Sequence, residues 1–406
     1  MKFSLYKYSF LGLAMAGAFT ACTSDADDFN YGHKTVYFAG TETDPMIMFQ
    51  VEDTPSSQTI SVLSSHKVDN DVTIHLAIDN SKLDEYNSTH GTSFAAIPDG
   101  AVTLESDKVV IPAGKSFSET SSVRVNSTED FVDGRVYVIP VTMTEVQGSD
   151  ILESSRTVFY RISRVFEFTS LNISNTSLYS NFIFDDNQAI ELGAFTYEIK
   201  CYSEAWHSIA RLCSFTGKAE QRSSMLRFGE GGYPVNSLQW VAAPADGGNM
   251  VSNTLFAENR WYMISLVYDG KRCTMYVDGV KDVEKDADGE PVTFQRFELG
   301  MSWAGYPASQ WFRGRVAEVR VWDFARSAAD IANTICSVDP NSEGLRAYWK
   351  MNEGEGSIFH DATGNGYDMD WKNTVRCLTE STSEEPTPDA YKAIAWDSDE
   401  KNKCAQ

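Results

Sequence analysis

The sequence predicts an all-β protein built as two sandwiches in tandem. Three observations carry this. Short runs alternating apolar and polar residues fill both halves, turn residues punctuate them at regular spacing, and helical periodicity is confined to two short stretches. At 406 residues the chain is long enough for two domains, each with its own core.

The chain opens with Lys2 and Lys7 and then the apolar run "FLGLAMAGAFTA", residues 10–21. A run this short is below the ~20 residues of a membrane span and has the layout of a signal peptide, assigned to residues 1–21. It ends at Ala21-Cys22 and is followed by the acidic, non-periodic "TSDADDFN". This resembles the lipobox of a bacterial lipoprotein, with Phe19 where a Leu is more usual. The resemblance implies lipid on Cys22, a linker over 22–30, and export to the cell surface by the acidic signal of Bacteroidetes lipoproteins. Outer membrane and cell surface are thus the expected location.

Basic residues number 34 and acidic ones 57, a formal charge of −23. A field of that sign repels nucleic acid and anionic headgroups. After the leader no apolar run reaches about 18 residues, so lipid on Cys22 would be the one anchor.

From Tyr31 to Arg164 the strand signals are "KTVYFA", "QTISVLSS", "DVTIHLAI", "DKVVI", "SSVRV", "RVYVIPVTM" and "RTVFYRI". In "DVTIHLAI", Val72, Ile74, Leu76 and Ile78 share one face, which leaves Thr73 and His75 on the other. A helix is expected at "SKLDEYNSTHG", with Asn80 or Ser81 as cap and Gly91 as stop. Residues 165–178 read as a junction.

The second half, 179–377, gives the clearest local signal in "RWYMISLVYDGKRCTMYVDGV". Asp269-Gly270 and Asp278-Gly279 separate runs of strand formers, as in two-residue hairpin turns whose central positions take positive φ. The tail, 378–406, begins as the charged linker "TESTSEEPTPD", then offers "YKAIAW" as an added edge strand. Cys201, Cys213, Cys273, Cys336, Cys377 and Cys404 show no Cys-x-x-Cys spacing, and spacing leaves free thiols and disulfides equally open.

Two resemblances sharpen this outline. "VVIPAGKSFSETSSVRV" with "VYVIPVTM" and "TVFYRI" resembles a domain of unknown function, an immunoglobulin-like β-sandwich, at the N-termini of Bacteroidetes surface lipoproteins. That domain often precedes a family 18 endoglycosidase or a lectin-like module, which implies a spacer. "NRWYMISLVYDGKRCTMYVDG", "FRGRVAEVRVWDFARSAADI" and "GLRAYWKMNEGEGSIFHDATGNG", in that order, resemble a laminin G-like, concanavalin A-like jelly roll. This family resemblance implies structural roles for Trp261, Trp322 and Trp349, and a short helix at "SAADIANTI" with Ser327 as N-cap.

Catalytic signatures are absent from the sequence. The six histidines stand without a surrounding motif, and no GxSxG elbow occurs. The Glu-x-Asp-x-Glu strand motif of one jelly-roll hydrolase family is also missing. A non-enzyme is expected. "EKDADGEPVTFQ" mimics a calcium loop, with Glu284, Asp286 and Asp288 at positions 1, 3 and 5, but Gln295 stands where a bidentate Glu is needed. An acidic hairpin tip is the expected reading and no cofactor is assigned, calcium being the one the pattern would admit.

Carbohydrate suits the remaining residues, because a sugar's apolar face stacks on Trp or Tyr while polar side chains at the rim meet its hydroxyls. Trp206, Trp240, Trp303, Tyr306 and Trp311 are the candidates, several beside polar groups such as His207, Gln239, Gln310 and Arg313. The expectation is a non-catalytic cell-surface glycan-binding lipoprotein of a glycan-utilisation system. Host N-glycans are the suggested ligand, and a transporter or endoglycosidase the suggested partner. The competing readings are an adhesin or assembly protein and an unrecognised glycoside hydrolase.

Overall fold

The computed structural model describes residues 34–51, 54–175, 178–217, 224–300, 308–371, 375–377 and 390–405. The chain is all-β, with two sandwich cores. Among the described residues no helix is long and apolar enough to cross a membrane.

In the first sandwich a mixed sheet runs Met46–Gln50, Thr157–Ser163, Tyr137–Gln147, Val72–Ile78, Lys108–Ile111. A sheet of Ser56–Ile60, Ser121–Val125 and Val102–Leu104 contributes Ile60, Val123 and Val125 to the same core. Val72, Ile74 and Leu76 point into that core, whereas His75 is half-buried on the other face, as alternation requires. The helix spans Ser81–His90 and stops at Gly91, whose φ of 63° is the left-handed geometry of a helix terminator. Asn80 precedes it without a side-chain bond. Asp79 instead accepts from the Ser81 N–H at 3.1 Å.

The second sandwich packs an eight-stranded sheet against a seven-stranded one. The larger is centred on Phe195–Ser203, flanked by Trp261–Tyr268 and Gly314–Trp322. The smaller runs Asn249–Leu255, Ser237–Val241, Ser224–Phe228, Ala210–Thr216, Arg296–Leu299, Leu178–Ile183, Val375–Cys377. Asp278 and Gly279 both take positive φ, 49° and 77°, so that turn is of the primed kind. The Asp269 turn differs. Only Gly270 has positive φ there, and the Asp269 carboxylate instead accepts from the N–H groups of Lys271 and Arg272 at 2.8 and 2.6 Å. Trp349 and Trp322 are buried, and Trp261 is half-buried against Phe168 and Tyr202. Ser327 caps the helix Ala328–Asn333 by accepting the Asp330 N–H.

Two segments differ from the sequence outline. Within the expected junction, Ser170–Asn172 is a strand of the eight-stranded sheet, and Val165–Glu167 pairs with Lys403–Ala405 from the tail. The tail also adds Ala395–Asp397 at the sheet edge, and Cys404 is disulfide-bonded to Cys336. Cys201, Cys213 and Cys273 are buried free thiols.

Candidate functional site

The outward face of the seven-stranded sheet is polar. Along Ala210–Thr216, Cys213 and Phe215 enter the core, which turns Ser214 outward; a bulge between Arg211 and Cys213 turns Arg211 outward as well. Arg227, Gln239, Arg296 and Glu298 occupy the matching positions of neighbouring strands. Arg211, Ser214 and Glu298 are fully buried, and Gln239 and Arg296 nearly so. Such groups are costly to bury unless they bond one another, and here they do. Arg227 Nε donates to Gln239 Oε1 at 2.9 Å, Gln239 Nε2 donates to the Glu230 carbonyl at 2.9 Å, and Glu298 takes Ser214 and Arg296 as donors.

An aromatic corner closes one end of this face. Arg211 Nε donates to Gln310 Oε1 at 2.9 Å, which fixes the start of segment 310–313 on the sheet. Next in the chain is Trp311, half-buried, with the Arg313 guanidinium 4.4 Å from its ring centroid and its Nε1–H directed at the Ser174 carbonyl, 3.4 Å away. His207 Nε2 lies 3.0 Å from the Trp311 carbonyl and Nδ1 lies 3.3 Å from the Ser208 carbonyl. A hydrogen on Nε2 therefore pins loop 204–209 to segment 310–313. That loop ends at Ile209, whose φ of 58° is an outlier for a β-branched residue; local strain of about 1–3 kcal/mol persists where surroundings over-determine it.

The sequence candidates separate here. Trp311 lies at the corner and retains exposed surface. Trp206 is half-buried, its ring 4.3 Å from that of Phe228 and its backbone N–H donating to Glu258 Oε1 at 3.0 Å, so it caps the core end. Trp240 is a correction: it is 0% exposed, facing Phe195 between the sheets, and no ring can reach it. Trp303, Tyr306 and Cys22 lie outside the described residues.

The weak calcium candidates are engaged elsewhere. Glu284 and Asp286 belong to the strand Val280–Asp286 rather than to a loop, and both face Arg272, at 2.6 and 3.7 Å. Asp288 accepts from the Glu290 N–H in its own turn. Among the described residues no group of three or more His, Cys, Asp or Glu is arranged to hold a metal ion.

Sequence reasoning missed Arg211, Glu298 and Gln239 as a set. Alternation marks each as outward-facing, but their meeting depends on strand order, which is non-local.

Residues 176–332 match the family model of the concanavalin A-like lectin/glucanases superfamily, and residues 31–150 match a model described as an N-terminal domain. The chain thus carries a laminin G-like domain behind a separate N-terminal domain. Among solved structures it is similar to a Bacteroides ovatus protein for which carbohydrate binding has been proposed, at 24% identity over 85% of this chain and 98% of that one, with a TM-score of 0.53. EndoBT-3987 of Bacteroides thetaiotamicron, solved with a Man5GlcNAc product, matches at 20% identity over 32% of this chain and 30% of its own, with a TM-score of 0.27. A SAP-like pentraxin from Limulus polyphemus matches at 13% identity over 53% of this chain and 98% of its own, with a TM-score of 0.35. No curated protein matches.

Proposed function

We propose that the chain is a non-catalytic glycan-binding lipoprotein, held by lipid on Cys22 at the outer-membrane surface, where it retains glycan for a transporter or endoglycosidase of the same system. The observation that carries the binding reading is the corner at Trp311: a half-exposed indole, backed by Arg313 and held by His207, with the half-buried polar side chains of Gln310 and Arg313 on either side of it in the chain. An apolar ring beside polar groups is what a pyranose needs, since it has an apolar face and a hydroxyl rim. The lectin-like fold and the carbohydrate-binding proposal made for the Bacteroides ovatus protein support the same reading. Retention rather than hydrolysis is supported by the buried Glu298, whose oxygens are taken up by Arg296 and Ser214, unlike a carboxylate poised against a scissile bond.

The test is a glycan array probed with the secreted chain, N-linked glycans included, and repeated with Trp311→Ala. Binding that falls about ten-fold or more in the variant supports the reading. Turnover of any glycan by purified protein, or silence across the array with capture of a surface protein, sinks it.

A further inference from the structure

Between the two sandwiches lies a cleft of about 670 Å³, with Phe94 and Arg135 on one wall and Phe324, Asp330, Asn333 and Glu343 on the other. Its volume falls within the range of small-ligand sites, which favour domain interfaces. The walls are fixed to one another. Arg135 Nε donates to Asp339 Oδ2 at 2.5 Å, and Ser327 Oγ lies 3.3 Å from the Gly91 carbonyl. Gly134 packs so closely on Val338 that an added Cβ would lie 2.0 Å from its carbonyl carbon. The cleft is therefore formed before any ligand arrives, and binding would not have to order it.

Its chemistry is specific. The Phe324 ring stands edge-on to Trp322, with centroids 5.8 Å apart, and lies against Gly344, where an added Cβ would come within 2.5 Å of the ring. Phe324 is nonetheless 39% exposed, a flat apolar surface at the cleft wall. One helix turn supplies polar groups beside it. The Asn333 amide, a donor and an acceptor together, makes no side-chain bond to another described residue, and the Asp330 carboxylate, which takes the Ser327 hydroxyl, keeps further acceptor capacity. The charges are uneven. Arg135 is paired with Asp339, Arg326 with Glu198 and, through space, with Asp330, and Asp323 with Arg346, which leaves the exposed Glu343 uncompensated. An anion entering the cleft would meet the Glu343 carboxylate, while the Arg135 and Arg326 guanidiniums on its walls are already engaged by carboxylates.

We propose that this interdomain cleft is a second saccharide site, selective for neutral sugars, in which a ring stacks on Phe324 and its vicinal hydroxyls bond Asn333 and Asp330. The saccharide class rests on the reading of the chain as a glycan-binding protein; the cleft and its exclusion of anions rest on the residues named here. A lysine-bearing peptide suits the charge but not the Asn333 amide, whose paired donor and acceptor fit a diol.

The experiment is calorimetric titration of the secreted chain with a mannose oligosaccharide, an N-acetylglucosamine oligosaccharide and a sialylated trisaccharide, in wild type and in Phe324→Ala, Asn333→Ala and Trp311→Ala. Two neutral-sugar sites per chain are expected, one weakened about ten-fold or more by either cleft variant, the other by Trp311→Ala. If only a single site appears, lost with Trp311→Ala and untouched by Phe324→Ala and Asn333→Ala, the cleft inference falls and the glycan reading stands. If the cleft variants abolish binding and Trp311→Ala does not, the cleft is upheld and the corner is dismissed. Sialylated ligand binding at the cleft as tightly as neutral ligand overturns the selectivity. Binding of a Lys-rich peptide without any saccharide overturns both readings. Asn333→Ala keeps the test valid should Phe324→Ala fail to fold.

Discussion

The guanidinium of Arg135, from the first sandwich, and the carboxylate of Asp339, from the jelly roll, meet at 2.5 Å across the domain seam. Burial acts to raise the Asp339 carboxyl, but the Asn341 N–H and the Arg135 guanidinium outweigh it and hold the group below its ordinary 3.8. A carboxyl depressed in the folded state binds fewer protons there than when unfolded. It therefore stabilises the fold above the ordinary value, and this contribution is lost as pH falls through the lowered one. Melting curves taken from about pH 5 down to about pH 2 should show a steeper loss in wild type than in Asp339→Asn, the two converging at the acid end. Parallel curves would remove Asp339 from the acid response.

Lys200 makes the opposite contribution. Burial pushes its ammonium from an ordinary 10.5 down to about 8, although Glu318 acts against this, and its Nζ donates to Cys404 Sγ at 2.9 Å. Between those two values the unfolded chain holds more protons, so this group's penalty is complete below about 8 and fades as pH rises through 10.5. Lys200→Met should raise stability at neutral pH by about 1–3 kcal/mol, an advantage that shrinks in alkali. Denaturant titrations at the two pH values measure it.

Two tryptophans from the same candidate set should behave in contrary ways. Trp240→Ala removes a fully buried indole and should cost about 3–5 kcal/mol, with binding lost through unfolding. Trp311→Ala removes a half-exposed ring and should leave the melting temperature within a few degrees of wild type while glycan binding at the corner falls about ten-fold or more. Equal destabilisation by both would make Trp311 a packing residue.

The Cys336–Cys404 bond closes a loop of sequence separation 68, and the strand it secures pairs with Val165–Glu167. Cys336→Ser with Cys404→Ser should lower stability by about 2–4 kcal/mol. Amide exchange should quicken first at Phe166 and Phe168, the alternate residues whose N–H groups face the tail strand, as the Phe168 N–H does in donating to the Asn402 carbonyl at 3.1 Å. Unchanged protection there would mean that the pairing holds without the bond.

Local features were legible in the sequence because their causes are local. Asp278-Gly279 needs two positive φ values, and Ser327 stands three residues before the N–H it caps. Trp240 could have been placed as well, since it alternates with Leu238 onto the core side while Gln239 points outward. The calcium mimic failed for a different reason. Ligand spacing presupposes a loop, and Glu284 and Asp286 lie in a strand, both drawn to Arg272. The disulfide and the cleft had no local signature at all, since Cys336 meets Cys404, and Phe94 and Phe324 come to line one cleft, only once the chain has folded.

The pairing of Val165–Glu167 with Lys403–Ala405 also has a mechanical meaning. One strand crossing between two bodies would be a swivel, free to twist under load. Here a second strand runs alongside it, hydrogen-bonded to the first and bolted through Cys404 to the jelly roll, and it acts as a splint. Tension applied between the two sandwiches would then pass as shear along a ladder, and the waist would behave as a bracket rather than a tether.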